Sequence, residues 1–338
     1  MSDGTDANPA GPPYAHPMDG FHRSLTATKE MRVQATHTPA TTTDTDFSGL
    51  WIPLVTPFRA GAVDHAALDQ LVRRLRADGV SGFVACGSTG EAAALDKAEQ
   101  LAVLDTTLQA ADGCPVVMGM SDYHLTQALD WVRELASRPI AGLLVPAPHY
   151  IRPSQAGLLH WFRSLADASR VPLIIYDIPA RTGVPLDRET LLELACHPGI
   201  RAIKDCGADS AKTLALIAQG KLQVLAGDDL QMFATVAQGG AGAIAASAHL
   251  LTPAFVQLIR RLRAGDCGDV RDLWLTLVPW IEAVFAEPNP APVKAMLASL
   301  GAIDGALRAP MTGCSARHLA SMRQLPLAPS MQQLPEAS

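Results

Sequence analysis

"GIRAIKDCGAD" (199–209) carries the reading of this chain, because an apolar run ends there in Lys204 and Asp205. A buried ammonium is costly unless it is paired or neutral, and a neutral lysine is a nucleophile. Two readings are open at this point. Lys204 is a strand-end lysine that pairs with Asp205 or snorkels to solvent, or it is an amine delivered into a pocket where desolvation lowers its pKa.

Working outward, "LWIPLVT" (50–56), "GFVACG" (82–87), "PVVMGM" (115–120), "AGLLVP" (141–146) and "PLIIYDI" (172–178) precede the run, and "LQVLAG" (222–227) and "GAIAAS" (242–247) follow it. Amphipathic segments at 64–78, 95–111, 124–137, 154–168 and 187–196 lie between them. Continuous apolar runs mark strands buried on both faces, and their alternation with helical patterns implies parallel βαβ units. Eight runs are the number that closes an α/β (β/α)8 TIM barrel. A doubly wound open sheet is the competing architecture. The glycines of "ACGSTGE" (85–91), however, do not fit G-x-G-x-x-G, and no phosphate loop is present.

The expected organisation follows. Residues 1–46, rich in Thr, Pro, Asp, Gly and Ala, cannot offset their ordering entropy and read as a disordered N-terminal extension. Residues 47–250 make the barrel core. Residues 251–325 hold the last barrel helix and a C-terminal helical appendage, including "DVRDLWLTLVPWIEAVFA" (269–286) and "APVKAMLASLG" (291–301), and 326–338 are a tail.

Composition excludes several classes. With 48% hydrophobic residues in 338 the chain can bury a large core, and a net charge of -6 without a Lys/Arg block argues against a nucleic-acid partner. No apolar run reaches the roughly 18 residues of a membrane span, and the N-terminus lacks the basic start and apolar core of a signal peptide. Six scattered cysteines without a C-x-x-C pair read as reduced thiols in a cytoplasmic protein. None of the ten histidines forms H-x-H or H-E-x-x-H, so no metal is expected.

In a barrel, residues at the carboxyl ends of the strands face the site. That rule selects Gly87 to Glu91, His149 and Tyr150, Tyr176 and Asp177, Lys204 and Asp205, Gly227 to Asp229, and Ser247. Tyr176 ends the strand before that of Lys204, so its hydroxyl is expected beside the amine. "GSTGE" (87–91) offers two hydroxyls and free N–H groups ahead of a helix, a concavity suited to a carboxylate. As an ordinary turn it would only cap that helix, with Glu91 a first-turn residue favoured by the dipole. Asp228 and Asp229 disfavour a phosphorylated substrate, or simply begin a helix. Arg181 is placed to clamp a carboxylate in a bidentate fork, or to pair with Asp187.

Taken in order and spacing, "GSTGEAAAL" (87–95), "HYIRPSQAGL" (149–158), "YDIPARTGVPL" (176–186), "IKDCGAD" (203–209), "AGDDL" (226–230), "GAIAASAH" (242–249) and "EPNPAPVK" (287–294) resemble the dihydrodipicolinate synthase/N-acetylneuraminate lyase family, from about Phe47 to about Thr312. The resemblance implies a class I lyase in which Lys204 forms an imine with pyruvate and no separate cofactor takes part. It implies that Tyr176 shuttles protons with Ser88 or Thr89. Ser88 and Thr89 would hold the pyruvate carboxylate, and Gly87 and Ile244 fall at substrate-binding positions. Tyr150 matches a tyrosine lent across a tight dimer interface, and members are commonly tetramers.

Arg181 in "P-x-R-T-G" points, by the same resemblance, to the carboxylate of L-aspartate 4-semialdehyde. The expected reaction is its condensation with pyruvate to 4-hydroxy-tetrahydrodipicolinate, on the way to diaminopimelate and lysine. The alternative is a catabolic 2-keto-3-deoxy sugar acid aldolase or dehydratase, and a different-class alternative is a non-catalytic barrel scaffold. The chain departs from the family pattern in Ser88 of "GSTGEA", in Asp177 where asparagine is usual, and in His149 where tyrosine is usual. Tyr123, Gln127, Ala92, Lys97 and His149 stand where lysine-inhibited members build their feedback site, so insensitivity to L-lysine is expected.

Overall fold

The computed structural model describes residues 45–268 and 270–326. Eight strands form the barrel: β1 (Gly49–Pro53), β2 (Gly82–Ala85), β3 (Val116–Gly119), β4 (Gly142–Pro146), β5 (Leu173–Asp177), β6 (Ile200–Asp205), β7 (Gln223–Ala226) and β8 (Gly242–Ile244). Each pairs in parallel with its sequence neighbours, and β8 closes on β1. The fold is the (β/α)8 TIM barrel expected from eight apolar runs.

The barrel helices are α1 (His65–Ala77), α2 (Lys97–Ala111), α3 (Leu125–Leu135), α4 (Gln155–Ala168), α5 (Arg188–Leu194), α6 (Ser210–Gln219), α7 (Met232–Ala237) and α8 (Thr252–Arg263), with a further single helical turn, Pro179–Thr182, between β5 and α5. Several starts are written in the sequence. Asp64, Ser154 and Asp209 accept from backbone N–H groups in the first turns of α1, α4 and α6, and Asp96 with Glu99 forms a capping box on α2. Beyond the barrel run α9 (Arg271–Phe285), α10 (Ala291–Ser299) and α11 (Ala316–Met322), the expected C-terminal helices.

Strand alternation sorts side chains into two cores. Phe47, Trp51, Val84, Val117, Leu144, Ile174, Tyr176, Ala202, Leu225 and Ile244 fill the barrel interior. Their strand neighbours Ile175, Ile203 and Ala243 pack outward against the helices. On β6 the inward series runs from Ala202 to Lys204. The lysine therefore belongs to the interior, and Asp205 belongs to the outer layer.

One element was not anticipated. Phe58–Arg59 and Ala62–Val63 pair as a short antiparallel hairpin between β1 and α1. Two-residue strands leave no periodicity to read. The expected N-terminal extension lies outside the described residues up to residue 44, as does the tail from 327 onward. Asp46 is described, and it accepts from the Ser48 N–H and from Gln223 Nε2. Among the described residues no helix is long and apolar enough to cross a membrane, and the six cysteines are unpaired.

Candidate active site

A cavity of about 470 Å³ opens at the carboxyl ends of the strands, lined among others by Ser88, His149, Tyr176, Arg181, Asn289 and Arg308. Of the pair expected from sequence, Tyr176 lines it and Lys204, which does not, lies against the Tyr176 ring. Tyr176 and Lys204 are register partners on β5 and β6, and Lys204 Nζ lies 4.5 Å from the centre of the Tyr176 ring. Both are buried, at 7% and 6% exposure. The phenol also has a side-chain hydrogen bond with Ser88. Gly227 makes room for this lysine, since a Cβ there would sit 2.6 Å from Lys204 Cγ and 2.5 Å from Cys206 Sγ.

The charge state of the amine corrects one expectation. Burial alone pulls the Lys204 ammonium down, but Tyr176, Cys206 and Asp229 beside it outweigh burial, and the net direction is up. Taken together these neighbours offset the desolvation that would favour a neutral amine. Burial pushes the Tyr176 phenol up and the Cys206 thiol up to about 12, so near neutral pH both carry their protons. The nearby anion is Asp229. It is buried and accepts from both the N–H and the hydroxyl of Ser247 at 2.8 and 2.6 Å. Burial raises its carboxyl to about 6, against the Ser247 bonds and Lys204. Asp229 is thus a charge facing the lysine and not a plain helix-start residue; Asp228 performs the capping, accepting from Leu230 N.

Asp205 does not pair with Lys204. It accepts from Gly207 N at 2.8 Å and from Thr213 Oγ1 at 2.6 Å on the outer face. Nor does Arg181 pair with Asp187: it lines the cavity, exposed, with no ion-pair partner among the described residues.

The turn after β2 is built differently from a simple helix start. Gly90 N and Glu91 N bond back to Gly87 and Ser88 carbonyls, leaving the Ser88 and Thr89 N–H groups without a backbone acceptor among the described residues. A single 3-10 turn, Ala92–Ala94, intervenes before α2. Glu91 takes no part in a helix dipole. It sits in the left-handed region at φ 53°, is buried, and accepts from Lys294 Nζ at 2.7 Å and Arg308 N at 3.1 Å. Lys294 is fully buried, donates also to Thr56 O at 2.9 Å, and lies over the Phe58 ring of the hairpin. Arg308 grips Glu99 with two bonds of 2.6 Å. Asn289 Nδ2 donates to Thr89 Oγ1 at 2.9 Å.

These C-terminal contributions were not foreseen as site residues. One signal was available, because "APVKAML" (291–297) is an apolar segment interrupted by a lysine, as in "IRAIKD".

Not every expected residue converges on the cavity. Gly87, Ser88, Tyr176 and Arg181 line it, with Lys204 beneath Tyr176. Thr89 is buried against Asn289 and is not part of the lining, and Ile244 lies in the barrel core on β8. Tyr150 is 87% exposed, at φ 72°, and does not line its own cavity. It shares an exposed surface with Tyr123 and Ile151, where His149 packs edge-on to Tyr123 at 5.2 Å.

Comparison with known proteins agrees with this geometry. The model of the dihydrodipicolinate synthetase family matches residues 46–326. A 4-hydroxy-tetrahydrodipicolinate synthase from Pelobacter propionicus is 36% identical over 268 residues, covering 78% of this chain and 92% of that relative. The crystal structure of dihydrodipicolinate synthase from Thermotoga maritima superposes with a TM-score of 0.81 at 27% identity, over 83% of this chain and 98% of that one. The enzyme from Cyanidioschyzon merolae, solved with lysine bound, gives a TM-score of 0.80 at 27% identity, over 82% and 97%.

Proposed function

The chain belongs to the dihydrodipicolinate synthetase family, and on that premise we propose that it condenses pyruvate with L-aspartate 4-semialdehyde, giving 4-hydroxy-tetrahydrodipicolinate through an imine on Lys204. The observation that carries the reading is the in-register pair of Tyr176 and Lys204 under a cavity with Arg181 in its wall. Pyruvate enters with its carboxylate on the free N–H groups of Ser88 and Thr89. Lys204 loses its proton through the Tyr176–Ser88 relay, which hands one on to solvent in the cavity, and the neutral amine attacks the ketone carbon; the carbinolamine then takes up a proton and expels water. The protonated imine then stabilises the enamine formed by loss of a C3 proton, and Asp229 supplies a compensating negative charge nearby. The enamine carbon attacks the aldehyde, whose carboxylate is held by Arg181. Attack of the substrate's own amine on the imine carbon closes the ring and frees Lys204.

The outward Tyr150, with Tyr123 and Ile151 exposed beside it, supports a homodimer in which each subunit lends Tyr150 to the other's site. Lysine insensitivity has its support in the same region. Lys97, at one of the positions where the resemblance puts the feedback site, stacks Nζ 4.8 Å over the Trp131 ring, and a cation there would repel a cationic ligand.

The reaction is tested by incubating the protein with pyruvate and borohydride, mapping the adduct, and then supplying aldehydes. An adduct on the Lys204 peptide with turnover of aspartate semialdehyde is expected. An adduct with turnover only of 2-keto-3-deoxy sugar acids would transfer the assignment to catabolism, and no adduct in the folded protein would favour a scaffold.

A further inference from the structure

The loop that carries Arg181 begins and ends on one buried ion pair. Asp177, the last residue of β5, points outward and is 1% exposed; Lys212, in the first turn of α6, is 5% exposed. Lys212 Nζ donates to Asp177 Oδ2 at 2.5 Å. The pair also reaches across the loop to Leu186, where Asp177 Oδ1 accepts from the N–H at 3.3 Å and Lys212 Nζ donates to the carbonyl at 3.2 Å. Both backbone groups of Leu186 are therefore taken by the two members of one pair.

Between these anchors the loop is internally bonded. Arg181 N donates to Ile178 O at 3.0 Å, and Thr182 Oγ1 lies 3.1 and 3.0 Å from the carbonyls of Ile178 and Val184. Gly207 completes the arrangement, because a Cβ there would stand 2.7 Å from Lys212 Nζ and 2.9 Å from Asp177 Oδ2. Burial pushes the Asp177 carboxyl up while Lys212 pulls against it, as expected of an anion that depends on its partner. An asparagine at 177 could hold Leu186 but would leave the Lys212 ammonium uncompensated.

We propose that Asp177 and Lys212 are positioning residues for the second substrate: they set where Arg181 stands in the cavity wall, and so the enzyme's preference for an aldehyde that carries a carboxylate. The proposal rests on the role given to Arg181 in the proposed function. A rigid loop presents the guanidinium in one orientation, and a small misplacement of a positioning group weakens the productive complex substantially.

The experiment uses Asp177→Leu/Lys212→Met, which removes every bond to Leu186 without leaving a buried charge, alongside Arg181→Ala and the triple variant. Two rates are read, imine formation with pyruvate by borohydride trapping and condensation with aspartate semialdehyde. In the double variant the aldehyde KM is expected to rise about tenfold or more, as for a misplaced positioning group, with imine formation within about twofold of the parent. In the Arg181→Ala background the same double change is expected to add little, because the two act through one contact. Asp177→Asn, which preserves volume, should show the same split at smaller size and guards against a double variant that does not fold.

An unchanged aldehyde KM, a fall in imine formation equal to the fall in condensation, or full additivity with Arg181→Ala overturns the proposal. If Arg181→Ala itself leaves the aldehyde KM unchanged, the assignment of Arg181 fails first and this inference falls with it.

Discussion

Lys294 of α10 and Glu91 of the turn after β2 meet at 2.7 Å, although 203 residues separate them. A fully buried lysine from the C-terminal helices thus holds the base of the turn whose Gly87 and Ser88 line the cavity. Lys294→Met would leave the Glu91 carboxylate buried against Arg308 N alone. Loss of one partner of a buried pair typically costs about 3–5 kcal/mol, and urea unfolding should register a fall of that order. The pyruvate KM should rise as well. Glu91→Gln/Lys294→Met should recover much of the stability, and a double variant as unstable as Lys294→Met would show that the charge imbalance is not the cause.

Tyr176 touches both Lys204 and Ser88, so removing its hydroxyl interrupts proton transfer and leaves the amine in place. Tyr176→Phe should lower kcat by about 10²–10⁴-fold, the usual contribution of a positioned acid–base group. Its pyruvate adduct should still form, slowly, on Lys204, whereas Lys204→Ala should form none. A Tyr176→Phe enzyme with parental kcat would remove the tyrosine from the relay.

His249 and Asp229 bias stability against pH in opposite directions. His249 is buried, accepts from Val55 N at 3.2 Å and lies 2.9 Å from Ala246 O; burial lowers it from 6.5 to about 4. Its contribution is complete above pH 6.5 and is lost as pH falls towards 4. Asp229, raised from 3.8 to about 6, contributes fully below 3.8 and loses that contribution as pH rises through 6. Each is worth on the order of 3 kcal/mol by linkage, so they largely cancel between pH 4 and 6. Relative to the parent, His249→Asn should lose stability as pH rises through that window, and Asp229→Asn should gain it. Unfolding curves at pH 4.5 and 6.5 give the slopes; parallel behaviour of all three proteins would contradict the assignment.

Because Tyr150 does not line its own cavity, the proposed shared site should be restored by mixing defects. Lys204→Ala and Tyr150→Phe subunits, each weak alone, should regain activity when co-expressed, since one site of the mixed dimer then has its own Lys204 and the partner subunit's Tyr150. No recovery in isolated mixed dimers would place Tyr150 outside the chemistry.

Activity titrated with L-lysine should show no half-inhibition below about 1 mM, the range of a weak ligand. Inhibition at lower concentration would mean that Lys97 and His149 leave the feedback pocket intact.

Local signals account for what could be read in advance. The eight strands were legible because apolar runs buried on both faces need no long-range information, and the rule that strand ends face the site then selected Lys204 and Tyr176, whereas Arg181 was read from the loop that follows. The remainder depends on contacts between distant segments. Glu91 looks like a helix-start residue until Lys294 reaches it, and Asp177 looks like a lone departure until Lys212 is seen across 35 residues. The protonation of Lys204 depends on Asp229, whose own state follows from Ser247 and burial, and neither relation has a sequence spacing that marks it.

The clamp from Asn289, Lys294 and Arg308 also orders events during synthesis. A nascent chain that has emerged through β8 already contains Lys204, Tyr176 and all eight strands, yet nothing holds Glu91 or Thr89. The turn proposed to bind the carboxylate gains its fasteners only when residues 289–308 have left the ribosome. On the proposed mechanism, the Lys204 amine is thereby in place before the turn that would dock its substrate, and turnover would wait for the C-terminal helices.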